Sequence, residues 1–314
     1  MKNKKMIILL SEENVFMEKV FNYNIKSADI VKIPTSYSPF DREELASRIN
    51  KEYSQVIFYG FFNQFYLLLP LLSKKIIKKY ILNVSITKFN EAYIFDNFQQ
   101  IIEYQERGLI DYIFTTQYDL YVSFKNKLSY IILDYIGDDK KKNSNSDSIG
   151  ILNEYYLIES NFYNELSAIA LSKYKKAYIL DQNIITKQFG LDFGVELYEE
   201  KDIEKLIYKN KANLDCKFCD ISNINFLISM DAGIPCILGN TNLLDDNVEL
   251  KKMLVLECDD DINEIKDKLE SSIANIAKIN NIYSKWRIDY SNKSKKTIKG
   301  FIEMGESWVW KKYQ

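Results

Sequence analysis

Several residue types that carry common chemistries are missing from this 314-residue chain or scarce in it. There is no histidine, and the chain has only four prolines, ten glycines and four cysteines. Without histidine, neither a Ser-His-Asp triad nor a Cys-His pair can be built, which excludes the common serine hydrolases and cysteine proteases. The sequence also has no Gly-rich phosphate loop of the GxGxxG or Walker type, which argues against a nicotinamide enzyme and a P-loop NTPase.

The chain also lacks an excess of charge and a long apolar segment. Lys plus Arg is 42 against 44 for Asp plus Glu, a net charge of -2, so no overall field attracts nucleic acid. The N-terminal apolar run, residues 6–10, is too short for a signal peptide, and no segment approaches the roughly 20 apolar residues that span a bilayer. We therefore predict a soluble cytoplasmic protein that binds no nucleic acid.

The cysteines and two acidic clusters are the remaining candidates for metal chemistry. The cysteines are Cys216, Cys219, Cys236 and Cys258. Cys216 and Cys219 have the spacing of half a zinc site, but a closed structural site needs four ligands. Residues 245–246 and 259–261 are acidic, which is typical of solvated loops and helix caps as well as of metal sites. We predict buried, inert cysteines, and neither a metal nor a cofactor.

Short apolar runs alternate with helical segments along the chain, as in βα units around a parallel sheet. Strands are predicted at 6–10, 56–59, 80–84, 111–115, 130–133, 148–152, 177–180, 195–198, 214–218, 235–238 and 253–256. Helices are predicted at 15–23, 41–51, 62–74, 97–107, 118–125, 161–173 and 184–189. Asp261 and Glu264 match a capping pattern, and the apolar residues that follow at helical spacing, up to Ile276, predict a further helix.

A very polar stretch, residues 137–148, separates two such halves and predicts a linker. We therefore predict an α/β fold of two Rossmann-like, doubly wound lobes facing a cleft. The first lobe comprises residues 1–143 and the second comprises residues 148–292. Residues 293–314 are predicted to form a C-terminal helical tail that packs back on the lobes, although its tryptophans and lysines are also typical of a membrane-surface contact.

One segment of the second lobe, residues 219–240, has the pattern of a strand end, a helix and a tight turn. Ser222 or Asn223 suits the cap of the helix, Gly233 suits a left-handed residue after it, and Pro235 suits a place that the helix cannot enter. In open parallel sheets, ligands bind beyond the carboxyl ends of the strands, where helix N-termini present backbone N–H groups to anions. The segment therefore predicts an anion-binding helix start.

The same segment resembles the donor-binding motif of retaining GT-B glycosyltransferases. In that motif an acidic residue and a glutamate are separated by seven residues, and Met, Gly and Pro follow before a strand. Asp220 matches the first acidic position, and Met230, Gly233 and Pro235 are in register. The likeness covers roughly the second lobe, and the first lobe agrees in architecture.

The resemblance implies that Asp220 is the catalytic residue and contacts the donor sugar, while the helix start faces the pyrophosphate. The residues proposed on this basis for donor binding are Ser222, Asn223, Ile224, Asn225, Gly233, Asn240, Tyr155 and Asn161. Packing and helix capping are the alternative roles for Tyr155 and Asn161. Ser11 and Glu12 follow the first strand and are implied on the acceptor side, where a simple turn and helix start is an equally good interpretation.

Two departures from the family pattern bear on activity. Ile228 stands at the second acidic position and cannot accept a hydrogen bond from its side chain. Residues 149–172 contain no basic residue that could balance a leaving diphosphate; Lys173 is the first, followed by Lys175, Lys176 and Lys187. Because such electrostatic stabilisation is usually a large catalytic term, these departures favour a loss of activity.

The resemblance implies a bacterial hexosyltransferase of the retaining type, active in polysaccharide biosynthesis or protein glycosylation. Its partners would be a nucleotide-diphosphate sugar and a surface glycan, a lipid-linked acceptor or a protein acceptor. The missing histidine fits retention, since inverting transfer normally needs a general base. The alternative is a catalytically silent homologue that binds glycan or supports an active partner subunit. A sugar-nucleotide epimerase, which shares the two-lobed architecture, is a third interpretation.

Overall fold

The computed structural model of the chain divides into two units. It describes residues 5–12, 14–60, 63–82, 91–137, 147–152, 169–171, 173–179, 195–198, 203–216, 223–241, 243–258 and 260–304. The first unit combines residues 1–84, 90–134 and 291–314, and the second combines residues 85–89 and 135–290. The predicted linker at 137–148 lies mostly outside the described residues.

The first unit is built on a six-stranded parallel sheet. Its strands are β1 (Lys5–Ser11), β2 (Ala28–Ile33), β3 (Tyr53–Tyr59), β4 (Ile77–Leu82), β5 (Tyr112–Thr115) and β6 (Ser129–Tyr130), in the order β2-β1-β3-β4-β5-β6. β1 is buried from Met6 to Leu10, as expected for a strand with both faces covered by helices. The continuous apolar run in the sequence therefore predicts its place inside the sheet.

Five helices and one 3-10 turn connect these strands. They are α1 (Val15–Asn24), α2 (Pro39–Glu52), α3 (Asn63–Leu68), the 3-10 turn Leu69–Leu71, α4 (Glu91–Glu106) and α5 (Tyr118–Ser123). α2 begins where the sequence favours it, because Ser38 Oγ accepts the backbone N–H of Asp41 at 3.1 Å and Pro39 occupies the first turn. One hydrophobic core joins α2, α3 and α4 to a face of the sheet through Ile49, Phe58 and Ile101.

The second unit is built on a five-stranded parallel sheet. Its strands are β7 (Ser148–Ile151), β8 (Lys175–Ile179), β9 (Val195–Tyr198), β10 (Ala212–Asp215) and β11 (Cys236–Leu238), in the order β11-β10-β7-β8-β9. The described helices of this half of the chain are α6 (Ile203–Tyr208), α7 (Asn223–Asp231), α8 (Val248–Leu254), α9 (Ile262–Ala274) and α10 (Ile276–Glu303). Residues 276–290 of α10 belong to the second unit, and residues 291–303 belong to the first.

The predicted class, two parallel α/β sheets, is confirmed, but several predicted elements are wrong. Strand β2 was not predicted, and residues 253–256, predicted as a strand, contain the end of α8 and a single bridge from Val255 to Leu238. Pro70 lies in the 3-10 turn that follows α3, so the predicted helix 62–74 is shortened.

The predicted helix that ran up to Ile276 is divided in two. Ile276 starts a new helix, because the chain turns at Asn275. The predicted helices 161–173 and 184–189 lie almost wholly outside the described residues.

The predicted cap of α9 is confirmed in part. Asp261 Oδ1 accepts the backbone N–H groups of Asn263 and Glu264 at 2.8 and 3.3 Å. The Glu264 carboxylate accepts the backbone N–H groups of Glu257 and Cys258 instead of that of Asp261. Both acidic side chains therefore satisfy backbone donors at the start of α9.

Two of the cysteines match the prediction of burial and one does not. Cys216 and Cys236 are buried, whereas Cys258 is exposed in the turn before α9. The Cys258 thiol donates to Asp260 Oδ1 at 3.1 Å, and this carboxylate raises the pKa of the thiol. Cys219 lies outside the described residues. Within the described parts of the chain, no group of three or more acidic or cysteine side chains is placed to hold a metal ion.

A network of buried polar side chains lies beside β7 and β10. Asn213 on β10 donates to Ser229 Oγ on α7 at 2.9 Å, and Asn210 donates to Asn213 Oδ1 at 2.9 Å. Ser148 Oγ donates to Asn210 Oδ1 at 3.0 Å. Gly150 lies against both amides, since a Cβ there would be 2.2 Å from Asn213 Oδ1 and 2.3 Å from Asn210 Nδ2. The network therefore requires glycine at position 150.

A buried lysine holds the end of α10 in the first unit. Lys79 on β4 is fully buried, and its Nζ donates to Gln55 Oε1 at 2.8 Å and to the carbonyl oxygen of Phe301. The Phe301 ring packs edge-on against Phe114, with the ring centroids 4.7 Å apart. Carbonyl groups at a helix C-terminus carry partial negative charge, so the Lys79 cation stabilises this end of α10. None of the described helices is both long and apolar enough to cross a bilayer.

Candidate functional site

The order of the strands gives each sheet a position where ligands bind in folds of this type. Connections leave in opposite directions from β1 and β3 in the first unit, and from β7 and β10 in the second. In open parallel sheets, ligands bind beyond the carboxyl ends of the strands at such a switch point. In the second unit the two strands at the switch point, β7 and β10, are joined at their ends by a hydrogen bond from the backbone N–H of Leu152 to the carbonyl of Leu214, at 2.8 Å.

The predicted donor segment follows β10, one of the two strands at this switch point. β10 ends at Asp215, and Asp220 and Ser222 come between this strand and α7 in the sequence. Asp220, Ser222, Tyr155 and Asn161 all lie outside the described residues. Asp215 itself is fully buried at the end of β10. Its backbone carbonyl accepts the backbone N–H of Gly239 at 3.2 Å. The position of the segment along the sheet is thus the one where a phosphate-bearing ligand is expected.

Helix α7 begins at this edge of the sheet with Asn223. Ile224 and Asn225 are buried, with 5% and 4% of their surface exposed. The first N–H groups of a helix have no partner within the helix, and together they attract anions. Because the side chains of Ile224 and Asn225 are buried, these two residues can offer their backbone N–H groups to a ligand.

The other predicted donor residues divide between the two ends of α7. Gly233 has a φ of 72°, which confirms the predicted left-handed turn. The backbone N–H of Ile234 donates to the backbone carbonyl of Ser229 at 2.9 Å. This turn lies at the C-terminal end of α7, about 13 Å from its start at 1.5 Å per residue. Asn240 is exposed just beyond β11, whose Leu238 pairs with Asp215. The structure thus brings Asn240 to the same sheet edge as Asn223, and places Gly233 at the opposite edge.

The second acidic position of the motif, Ile228, supplies no carboxylate to the sheet edge where α7 begins. Asp231, the next acidic residue along α7, does not supply one there either. Ile228 is 1% exposed in the middle of α7. Asp231, one turn later, accepts the hydroxyl of Tyr283 at 2.8 Å and Nε of Arg287 at 3.0 Å. Arg287 also donates to the carbonyl of Tyr135 at 3.1 Å. Asp231 therefore anchors α7 to α10, and burial together with this carboxylate raises the pKa of Tyr283 well above its ordinary value.

The first basic residue of the second lobe is also engaged. Lys173 forms an ion pair with Glu270 on α9, which raises the pKa of the lysine and lowers that of the glutamate. Its charge is therefore compensated by a neighbouring carboxylate. Lys187 and the side chains of Lys175 and Lys176 lie outside what the structure describes.

In the first unit, Ser11 and Glu12 lie at the carboxyl end of β1, beside the other switch point. Ser11 Oγ accepts Nδ2 of Asn14 at 2.9 Å. Glu12 Oε1 accepts both the hydroxyl and the backbone N–H of Thr35, at 2.7 and 3.1 Å. The backbone N–H of Glu12 donates to the carbonyl of Ile33 at 3.0 Å. Glu12 thus ties the ends of β1 and β2 together, and the two hydrogen bonds from Thr35 lower the pKa of its carboxyl group.

Replacing Thr35 by valine is expected to raise the pKa of Glu12 towards its ordinary value, because the hydroxyl supplies the larger of the two effects. The folded-state pKa is depressed, so the stabilisation is present above the ordinary pKa and is lost as the pH falls through the folded value. A carboxyl NMR titration of Glu12 measures the change. Thr35→Ser retains the hydroxyl and serves as the matched control. Equal pKa values in Thr35→Val and the parent would show that the hydroxyl bond is not formed.

Solved structures with the same arrangement of two parallel sheets identify the fold of this chain. HepE from Anabaena, solved with UDP and glucose, superposes with a TM-score of 0.67 at 9% identity, covering 97% of this chain and 100% of that chain. A TarM variant from S. aureus, solved with UDP, fondaparinux and alpha-GlcNAc-glycerol, gives 0.65 at 14% identity, covering 82% and 57%. The chain has the GT-B fold. Sucrose-phosphate synthase from Thermosynechococcus elongatus, at 0.65 and 9% identity with 98% of both chains covered, shares it.

These structures confirm the resemblance to GT-B glycosyltransferases that the motif at residues 219–240 indicated. No family model matches the sequence, and no curated protein matches it. The chain spans 57% of the length of the TarM chain. At these identities the similarity establishes the GT-B architecture, and the chemistry depends on the residues at the sheet edges.

Sequence reasoning missed several residues around the GT-B switch points. Asp215 was placed inside a predicted strand 214–218, whereas it ends β10. Thr35 was missed together with β2, which it follows. The Asp231–Arg287 pair joins residues far apart in the sequence, and no local pattern identifies it. A carboxylate at the last position of a buried strand was the one signal that could have drawn attention to Asp215.

Proposed function

We propose that the protein is a nucleotide-sugar-dependent glycosyltransferase, a bacterial, cytoplasmic hexosyltransferase of the retaining type. The observation that carries the proposal is the position of α7: its N-terminus follows β10 at the switch point of a GT-B second sheet. The neighbours support it, since HepE and TarM were each solved with UDP. The proposed acceptor is a surface glycan, a lipid-linked acceptor or a protein.

The proposed roles follow from the chemistry of each group. The backbone N–H groups of Ser222 to Asn225 would hold the pyrophosphate, because a helix start carries partial positive charge. The carboxylate of Asp220 would accept hydrogen bonds from the sugar hydroxyls. Asn240, exposed at the same edge, would approach the donor from β11, and Tyr155 and Asn161 complete the proposed set. Gly233 is left out of this set, because it lies at the other end of α7. Ser11 and Glu12 are proposed on the acceptor side, where Glu12 is held by Thr35.

A calorimetric titration with a panel of UDP-, GDP- and TDP-sugars tests the proposal. We expect one nucleotide to bind, and its sugar to be transferred or slowly hydrolysed. The folded state of the protein is checked by circular dichroism in the same buffer. If the folded protein binds none of these nucleotide sugars, the proposal that it is a glycosyltransferase is rejected. Mass analysis of a donor incubated alone detects epimerisation, the third interpretation.

Three observations favour a second candidate, a catalytically silent GT-B homologue that binds glycan or assists an active transferase subunit. Ile228 is buried and apolar at the second acidic position. Asp231 is bound by Arg287, and Lys173 by Glu270. The two candidates differ in turnover: the silent homologue binds a nucleotide sugar or a glycan without releasing nucleoside diphosphate.

Asp220→Ala is expected to lower kcat/KM by about 100-fold, the size of effect seen when one charge-stabilising group is removed from an active site. Release of nucleoside diphosphate from the donor found by titration measures it. Asp245→Ala is the control, since Asp245 is exposed and paired with Lys251 in a turn of the same unit. A rate that is unchanged in Asp220→Ala would place the donor pocket elsewhere.

A further inference from the structure

Four polar side chains at the carboxyl edge of the first sheet are joined in one hydrogen-bonded network. Arg42 Nη2 donates to Oε1 of Gln64 at 3.1 Å, and Nε2 of Gln64 donates to the backbone carbonyl of Thr35 at 3.0 Å. Thr35 donates both its hydroxyl and its backbone N–H to Glu12 Oε1, at 2.7 and 3.1 Å. We call Arg42, Gln64, Thr35 and Glu12 the Glu12 network.

The Glu12 network connects the ends of three strands. Glu12 follows β1, Thr35 follows β2, and Gln64 lies in α3, the helix that follows β3. β1 and β3 flank the switch point of this sheet, and ligands of open parallel sheets bind there, beyond the carboxyl ends of the strands. The network therefore lies at the edge where the first unit is expected to meet a ligand.

Gln64 is the member of the network whose chemistry is hardest to replace. Its amide oxygen accepts from a guanidinium and its amide nitrogen donates to a carbonyl, and neither a carboxylate nor an apolar side chain of similar size can do both. Arg42 also donates to the carbonyl of Tyr37 at 3.1 Å, so it reaches the segment after β2 without Gln64. The bond from Gln64 to Thr35 acts directly on the residue that holds Glu12.

Glu12 is held by one of its two carboxylate oxygens. Both bonds from Thr35 end on Oε1, and among the described residues no hydrogen bond reaches Oε2. The side chain is exposed. The hydroxyl and the N–H of Thr35 lower the pKa of its carboxyl group, so the group is ionised at neutral pH. A carboxylate fixed in this way can accept a charge-assisted hydrogen bond from a ligand hydroxyl with its second oxygen.

We propose that Gln64 is a positioning residue of the acceptor site: it holds Thr35 against Glu12, so that Glu12 binds a hydroxyl group of an uncharged sugar acceptor. This role depends on the proposed function, in which Glu12 lies on the acceptor side, and it narrows the acceptor to one chemical class. A sugar with a carboxylate at this place would be repelled by the ionised Glu12. The alternative role of Gln64 is purely structural, a link between α2 and α3 through Arg42.

Carboxyl NMR of the full chain with isotope-labelled glutamate measures both the pKa of Glu12 and its contact with a sugar. The probes are methyl glucoside and methyl N-acetylglucosaminide, and at least one of them is expected to shift the Glu12 signal of the parent. In Gln64→Met, which removes both amide bonds at similar volume, the pKa of Glu12 should rise towards its ordinary value because Thr35 is released. Probe binding should weaken by about tenfold, the size expected when one hydrogen bond to a ligand is lost.

A second variant separates positioning from a structural role. Gln64→Glu keeps an acceptor for Arg42 and lacks the donor to Thr35. We expect it to unfold close to the parental temperature and to weaken probe binding about as much as Gln64→Met, whereas a purely structural role predicts parental binding. Gln99→Met is the matched control: Gln99 is exposed on α4 and donates to Glu103 at 3.2 Å, so its loss should change neither the pKa of Glu12 nor probe binding.

Each of four results contradicts the proposal. They are a Glu12 signal that neither probe shifts, an unchanged pKa of Glu12 in Gln64→Met, parental probe binding by Gln64→Glu, and binding of methyl glucuronide as tight as that of methyl glucoside. Circular dichroism confirms that each variant is folded.

A nucleotide-sugar titration keeps this role of Gln64 separable from the proposed function. The titration of Gln64→Met should match the parent, because the proposed donor site lies in the second unit. A parent that binds a donor but neither probe contradicts the role of Gln64 alone. A parent that binds a probe but no nucleotide sugar contradicts the proposed function.

Discussion

Replacing Gly150 by alanine is expected to destabilise the second unit by about 3–5 kcal/mol, because the added methyl group overlaps a hydrogen-bonded pair of buried amides. A Cβ at this position would lie 2.2 Å from Asn213 Oδ1 and 2.3 Å from Asn210 Nδ2. Both asparagines are fully buried and bond to each other and to Ser148 or Ser229. They cannot move aside without leaving buried polar atoms unpaired.

Thermal denaturation measures the effect of Gly150→Ala, and a fall in Tm of about 10 °C is expected for a unit of this size. Hydrogen exchange of the β7 and β10 amides identifies the unit that opens. Gly300→Ala is the matched control: Gly300 lies on an exposed part of α10 with nothing within 4 Å of the added Cβ, so the change should stabilise the helix by roughly 0.5–1 kcal/mol. A Tm unchanged by Gly150→Ala would mean that the two amides are not packed against β7.

The second large effect is expected at the ion pair that holds α7 to α10. Arg287→Leu should cost about 3–5 kcal/mol, because it leaves the carboxylate of Asp231 largely buried without its cation. The two side chains are 11% and 16% exposed, and Nε of Arg287 lies 3.0 Å from Asp231 Oδ1. The double variant Arg287→Leu/Asp231→Leu removes the unpaired charge and should recover part of this loss. The recovery is incomplete because the Tyr283 hydroxyl then loses its closer acceptor and is left with the carbonyl of Leu227 at 3.5 Å.

Urea denaturation of the single and double variants measures the coupling between the two residues. Lys251→Leu is the control, because its pair with Asp245 is exposed and should contribute less than about 1 kcal/mol. A cost of Arg287→Leu no larger than that of Lys251→Leu would show that the pair does not anchor α7. Under the proposed function, a displaced α7 should also weaken nucleotide-sugar binding, since the helix start is the proposed phosphate site.

The strands that could be predicted from the sequence are those buried on both faces. β1 and β3 contain the continuous apolar runs 6–10 and 56–59, and their position inside a parallel sheet follows from that pattern alone. β2 was missed because its exposed and buried residues show no such run, with Asp29 and Lys32 among them. It is held by pairing with β1 and by the Tyr53 hydroxyl, which donates to Asp29 at 2.7 Å. Such contacts between residues distant in sequence leave no local signal.

The candidate site could be predicted in its location but not in its contacts. The turn at Gly233 and the helix before it were predicted from residue types with known backbone preferences. The side chains that engage Asp231 and Lys173 come from α10 and α9, 56 and 97 residues further along the chain. A linear pattern can indicate that a carboxylate is present near a motif, but only the packed helices decide whether it is available to a ligand.

The division of α10 between the two units has a consequence for synthesis on the ribosome. Lys79, Phe114 and Ile132 of the first unit take their partners from residues 294–302, which are translated after the whole of residues 135–290. At about 5–20 residues per second, this interval lasts roughly ten to thirty seconds. The first unit is thus the first to emerge from the ribosome and the last to be completed. A ribosome that stalls within residues 135–290 leaves a nascent chain in which Lys79 lacks the carbonyl of Phe301 and the core of the first unit is only partly covered. Such a chain is a substrate for chaperones.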